Sequence, residues 1–156
     1  MAATTEAEAQ AAGNQVIQAL DDVIIETGVA LGYVWHSADV GRSVRYGVPD
    51  RDDGALRVDC VDGRLLIAIS IETDGAEGEP SSALFSNGDR REGTIGYLGD
   101  GAKVLIPVAV DDPVVATLLA EERIAIDTPQ TVVRVPATGG TGLLRSLIER
   151  CVPQRP

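Results

Sequence analysis

From Gly28 onward the apolar residues of this chain come in short runs rather than long stripes. Val29 to His36, Ser43 to Tyr46, Leu56 to Cys60, Leu65 to Ile71, Ala83 to Ser86, Thr94 to Leu98 and Val104 to Val110 are all rich in β-branched side chains. Turn-forming pairs separate them: Pro49-Asp50, Asp53-Gly54, Asp62-Gly63, Asp74-Gly75, Asn87-Gly88 and Gly99-Asp100-Gly101. Short runs punctuated in this way predict strands of an antiparallel sheet. Asp62-Gly63 is a two-residue link between two such runs, the sequence signature of a type I′ hairpin. Leu65-Leu66-Ile67-Ala68-Ile69-Ser70-Ile71 is nearly all apolar, as befits a central strand covered on both faces. Arg123 to Asp127 and Thr131 to Val135 predict two more strands, divided by the Thr128-Pro129 turn.

Three segments show helical spacing instead. Thr5 to Asp22 is rich in Ala and Gln, and Val16, Ile17, Leu20, Val23 and Ile24 form a stripe in its second half. Asp112 is placed to cap a short helix over 113–121, with Pro113 at the first helical position, where its missing N–H costs nothing. A last helix runs from about Thr141, its expected cap, to Cys151, with Leu143, Leu144, Leu147 and Ile148 facing inward. The expected architecture is mainly β, an antiparallel sandwich or partly open barrel, with an N-terminal helix and these two later helices. Residues 1–25 form a helical segment, and 28–152 a single β-rich domain.

Composition narrows the function classes. Of 156 residues 44% are hydrophobic but only 3% aromatic, so the core must be built from Val, Ile, Leu and Ala. So few rings argue against a platform for stacked bases or sugars. The 24 acidic against 13 basic residues give a net charge of −11, a field that repels phosphate backbones, so nucleic acid is not an expected partner. Arg42–Arg45 and Arg90–Arg91 read as solvated turn residues. No stretch approaches the roughly 20 apolar residues of a membrane-spanning helix. Met1 to Glu6 carries neither the positive flank nor the apolar run of a signal peptide. A cytosolic protein and a mature exported one both fit that start.

The candidate chemistry is thin. In Val133 to Leu144 a strand, a glycine loop (Gly139-Gly140-Thr141-Gly142) and a helix start imitate a dinucleotide-binding turn. No second βα unit follows to supply the acidic ribose ligand, so an ordinary connection to the last helix is expected. His36 is the single histidine, and no G-x-S-x-G elbow accompanies it. Asp21-Asp22, Asp50-Asp52-Asp53 and Asp111-Asp112 lack calcium-loop spacing and serve turns more simply. No catalytic residue, metal or cofactor is expected. Cys60 and Cys151 have no CxxC partner, which leaves three readings: a disulfide from the last helix to the sheet, two inert buried thiols, or a reactive thiol. A bridge would close a loop of roughly 90 residues, worth on the order of 4–5 kcal/mol in the chain-entropy model.

Tyr46-Gly47-Val48-Pro49, Leu56-Arg57-Val58-Asp59-Cys60, Asp111-Asp112-Pro113 and Leu147-Ile148-Glu149-Arg150-Cys151 resemble a group of small exported alphaproteobacterial proteins, common in sphingomonads. More distantly, the chain is similar to the invasion-associated locus B proteins. The resemblance spans roughly Trp35 to Cys151. It implies export to the periplasm, a sandwich-like β-core and a Cys60–Cys151 pairing, and it brings no activity with it. The leading expectation is a non-enzymatic periplasmic or envelope domain that binds a protein partner. Tyr33, Trp35 and Tyr46 are its anchors if they cluster on an exposed face with Val29 and Leu31. Two alternatives stand beside it: a hydrolase with an unfamiliar acidic site, and a cytosolic acidic inhibitor or immunity-type protein.

Overall fold

The computed structural model describes residues 32–49, 54–73, 75–98, 101–119 and 123–151. The helical segment expected over 1–25 and the start of the first expected strand, Val29 to Leu31, lie outside the described residues. Nine strands follow: β1 (Val34–Ala38), β2 (Ser43–Gly47), β3 (Gly54–Val61), β4 (Arg64–Ser70), β5 (Pro80–Phe85), β6 (Arg90–Leu98), β7 (Gly101–Ala109), β8 (Arg123–Asp127) and β9 (Val132–Pro136). Two helices are interspersed, α1 (Val115–Leu118) and α2 (Thr141–Arg150).

All nine strands belong to one sheet, in the spatial order β1-β2-β3-β4-β7-β6-β5-β8-β9, and the sheet curls into a half-barrel. Of the two expected architectures the structure takes the barrel-like one, because no second sheet faces the first among the described residues. Every pairing is antiparallel. The β3–β4 link is the expected primed turn: Asp62 (φ 54) and Gly63 (φ 78) both take left-handed backbone, which matches the twist of the flanking strands.

Side chains alternate across the sheet, and the register lines them up in apolar rows on the concave face. Val44, Val58, Ile67 and Ile106 form one row across β2, β3, β4 and β7, each at most 1% exposed. Tyr46, Leu56, Ile69, Val104 and Ile95 form the next. On the opposite pleat of β4, Ala68 is buried and Leu66 half-buried, so this strand is largely covered on both faces, as its composition implied.

The helices are shorter or differently begun than the sequence suggests. α1 has four residues rather than the nine of 113–121. The cap is Val114, without a side-chain cap bond, rather than Asp112, and Pro113 stands before the helix; Asp112 nevertheless accepts the Val114 N–H at 2.9 Å on Oδ1. The same carboxylate is gripped from two sides by Arg91 of β6, Nε to Oδ2 at 2.9 Å and Nη2 to Oδ1 at 2.8 Å. Arg91 is therefore no solvated turn residue, because it ties the sheet to α1. At α2 the cap is Gly140 with no side-chain cap bond, and the Thr141 hydroxyl instead donates back to the Ala137 carbonyl at 3.4 Å. The glycine stands there because a neighbouring ring leaves no room for a side chain, as described below.

Two outcomes follow. Ile67→Ala should cost about 2–5 kcal/mol in urea unfolding, since the cavity opens in the middle of a sealed row, while Leu66→Ala on the other pleat should cost clearly less. The Arg91 hydrogen bond holds the Asp112 carboxyl below the usual carboxylate range, helped by the Val114 N–H. A depressed folded-state pKa contributes stability above the unfolded value of about 4, and that contribution is lost as pH falls through the folded value. Asp112→Asn should therefore flatten the acid limb of a stability-against-pH curve measured by thermal unfolding.

Candidate functional site

The expected aromatic anchors do come together. Trp35 of β1 stands directly across from Tyr46 of β2 with ring centroids 5.3 Å apart, and Tyr33 meets Tyr46 edge-on at 5.7 Å. They cluster on the concave face, not on an exposed one: Trp35 is 9% and Tyr46 2% exposed, while Tyr33 is half-buried. The Trp35 indole N–H donates to the Pro136 carbonyl at 2.7 Å, joining the edge strands β1 and β9 across the mouth of the half-barrel. Among the described residues the Tyr46 hydroxyl has no hydrogen-bond partner, and burial together with the neighbouring Tyr33 pushes its pKa up.

Helix α2 lies against β1, β2 and β3, over this cluster. Its first turn is jammed onto the indole: a Cβ on Gly140 would stand 2.5 Å from ring carbons of Trp35. At its other end Cys151, fully buried, lies at disulfide-bonding distance from Cys60 of β3, with Cα atoms 5.6 Å apart and the two residues 91 positions apart in sequence. The glycine loop is thus an ordinary strand-to-helix connection whose small residues admit Trp35.

The disulfide end of the molecule also carries the tip of the β1–β2 hairpin. Asp39, Val40 and Gly41 all adopt left-handed backbone, at φ 55, 57 and 83. Asp and Gly tolerate this region, but for a β-branched residue it is an outlier. Val40 is also 100% exposed. The tip is anchored where the Cys60 N–H donates to the Arg42 carbonyl at 2.9 Å. It is braced by Arg150 of α2, whose guanidinium packs over Gly41. Val61, beside Cys60, is a second exposed apolar side chain here, and Arg42, Arg64 and Arg150 are exposed around the same end.

The convex face has its own polar row. His36, Arg45 and Arg57 are register partners across β1, β2 and β3. Arg45 is only 9% exposed, which corrects its expected role as a solvated turn residue: it donates to Ser43 Oγ at 3.0 Å and pairs with Asp39 at 3.0 Å. Arg57 pairs with Asp59 at 2.8 Å. Beside them, Arg45, Gly54, Leu56, Arg57, Ala68, Ser70 and Lys103 line an indentation of about 220 Å³, open solvent included. Its lining is cationic, and the Ser70 hydroxyl donates to the Gly54 carbonyl. His36 lies half-exposed with Nδ1 3.1 Å from the Val34 carbonyl.

The sequence left Val40 unremarked. The available signal was a β-branched residue between Asp39 and Gly41, inside a turn that favours neither its shape nor its exposure. Among the described residues no helix is long and apolar enough to cross a membrane. Comparison with protein-family models, curated proteins and solved structures returned no match.

Two glycine replacements at the start of α2 should act in opposite directions. Gly140→Ala forces a methyl into the indole and should destabilise by about 1–3 kcal/mol, with a shift in Trp35 fluorescence. Gly142→Ala meets nothing within 4 Å and should stabilise by up to about 1 kcal/mol through helix propensity. Chemical denaturation of both variants checks the pair.

Proposed function

We propose that this chain is a non-enzymatic domain of the cell envelope or periplasm that binds a protein partner through its disulfide end. The observation that carries the reading is Val40. Its left-handed backbone costs about 1–2 kcal/mol, and its side chain buries nothing in return. Local strain with no folding benefit points toward a role outside the fold. An apolar tip fits a shallow pocket of a partner, with Val61 beside it. Arg42, Arg64 and Arg150 around the tip suit an acidic rim on that pocket, in a chain whose overall charge of −11 would otherwise repel one.

The paired cysteines favour an oxidising compartment over the cytosol. The resemblance to exported alphaproteobacterial proteins points the same way. Trp35 and Tyr46 are buried and, with Tyr33, stand toward the opposite end of the β1–β2 hairpin from Val40, so the trio holds the hairpin in place rather than forming the binding face. Among the described residues, the indentation beside Arg45 and Arg57 is lined by cations rather than by paired carboxylates.

A photo-crosslinking side chain at position 40, used in an extract of the native envelope, should capture a discrete adduct. The adduct should disappear at about 0.5 M salt, where screening is short-ranged, and in Arg42→Glu/Arg150→Glu. The same probe at exposed Ala116 on α1 should not yield it, and equal capture from both positions would overturn the proposal. Val40→Asn, which suits left-handed backbone, should stabilise the fold by about 0.5–1 kcal/mol while weakening capture by a crosslinker at Val61.

A further inference from the structure

We infer that α2 is a hinged strap over the concave face, latched by the Cys60–Cys151 disulfide and released when that bond is reduced. The helix is weak on its own terms. It has ten residues, below the roughly 12–15 at which isolated helices become even marginal in water. It carries Gly142 in its first turn, no side-chain cap, and no acidic residue near its N-terminus to complement the dipole. Only Leu144 and Leu147 of its residues are fully buried, with Leu143 and Ile148 partly so. Its seat is therefore held at its ends.

The two ends differ in kind. At the N-terminal end the chain turns through Ala137 to Gly140, with Gly139 at φ 87 and Gly140 wedged on Trp35, a connection free to swing once the ring contact is lost. At the C-terminal end the attachment is covalent. Cys151 is fully buried, but Cys60 keeps partial exposure, so a reductant reaches the bond from the Cys60 side. A thiolate of a dithiol reductant attacks Cys60 Sγ. The Cys60–Cys151 bond breaks, and Cys151 leaves as a thiolate that takes up a proton. The reductant's second thiol then displaces Cys60 from the mixed disulfide. The reductant departs as a disulfide, and the protein has gained two electrons and two protons.

Release would uncover Trp35 and Tyr46, the aromatic pair that α2 covers. The inference does not depend on binding at Val40. It differs from a purely structural staple, whose loss would loosen strands and helix alike.

The test uses the full chain, oxidised, then treated with dithiothreitol under native conditions, beside a Cys60→Ser/Cys151→Ser variant that needs no reductant. Trp35 is the single tryptophan, so its emission reports on the strap. Reduction and the double variant should both shift that emission to the red. Hydrogen exchange in 144–150 should speed up by at least about tenfold, while amides of β4 and β7 change less than about threefold. Reoxidation should restore both signals. The inference falls if 144–150 keep their protection in the double variant, or if strands and helix lose protection together.

Discussion

The constraint on which the rest of this structure depends is the need to close a curled sheet whose concave face is apolar across its central strands. Val44, Val58, Ile67 and Ile106 leave no polar break along their row, and water against such a face is costly in proportion to its area. A fully closed barrel would seal itself by pairing its edges. This sheet stops short, and the hydrogen bond from the Trp35 indole to the Pro136 carbonyl joins β1 to β9. What remains open is covered by α2, a helix too short and too poorly capped to stand alone. The placement of Trp35, Gly140, Cys60 and Cys151 follows from that single requirement.

Much of this was legible in the sequence, for reasons that differ by element. Short β-branched runs and the turn residues between them located all nine strands, because each strand's pattern is local. Asp62-Gly63 announced its hairpin because only a few residue pairs accept two successive left-handed conformations. The helix ends were less legible. Thr141 has the chemistry of a cap, but the position before it is decided by the ring of Trp35, more than 100 residues away in sequence. Arg45 and Arg91 are illegible as ion-pair residues for the same reason: their acidic partners, Asp39 and Asp112, are brought to them by the β1–β2 turn and by the start of α1.

The aromatic trio shows a subtler limit. That Tyr33, Trp35 and Tyr46 would gather could be read from strands that had to be neighbours. Which face they gather on could not, since one residue of register shift exchanges the two faces. The register that puts Trp35 opposite Tyr46 on the concave side also puts His36, Arg45 and Arg57 together on the convex side. Both clusters are consequences of one choice, and that choice is enforced by the apolar rows of β3 and β4.

Backbone strain persists only where its surroundings hold it in place. Val40 could relax by flattening the hairpin tip, but three restraints oppose this: the Cys60 N–H bond to the Arg42 carbonyl, the Arg150 guanidinium over Gly41, and the linkage that fixes Arg150's helix to Cys60. All three run through the same end of the molecule and the same pair of cysteines. The covalent bond that secures the cover over the concave face therefore also braces a turn where local preference is overridden. Packing alone explains why α2 must be held down. It leaves unexplained why a valine stands fully exposed at the tip that the same bond keeps rigid, and the proposed binding role rests on that one strained, exposed side chain.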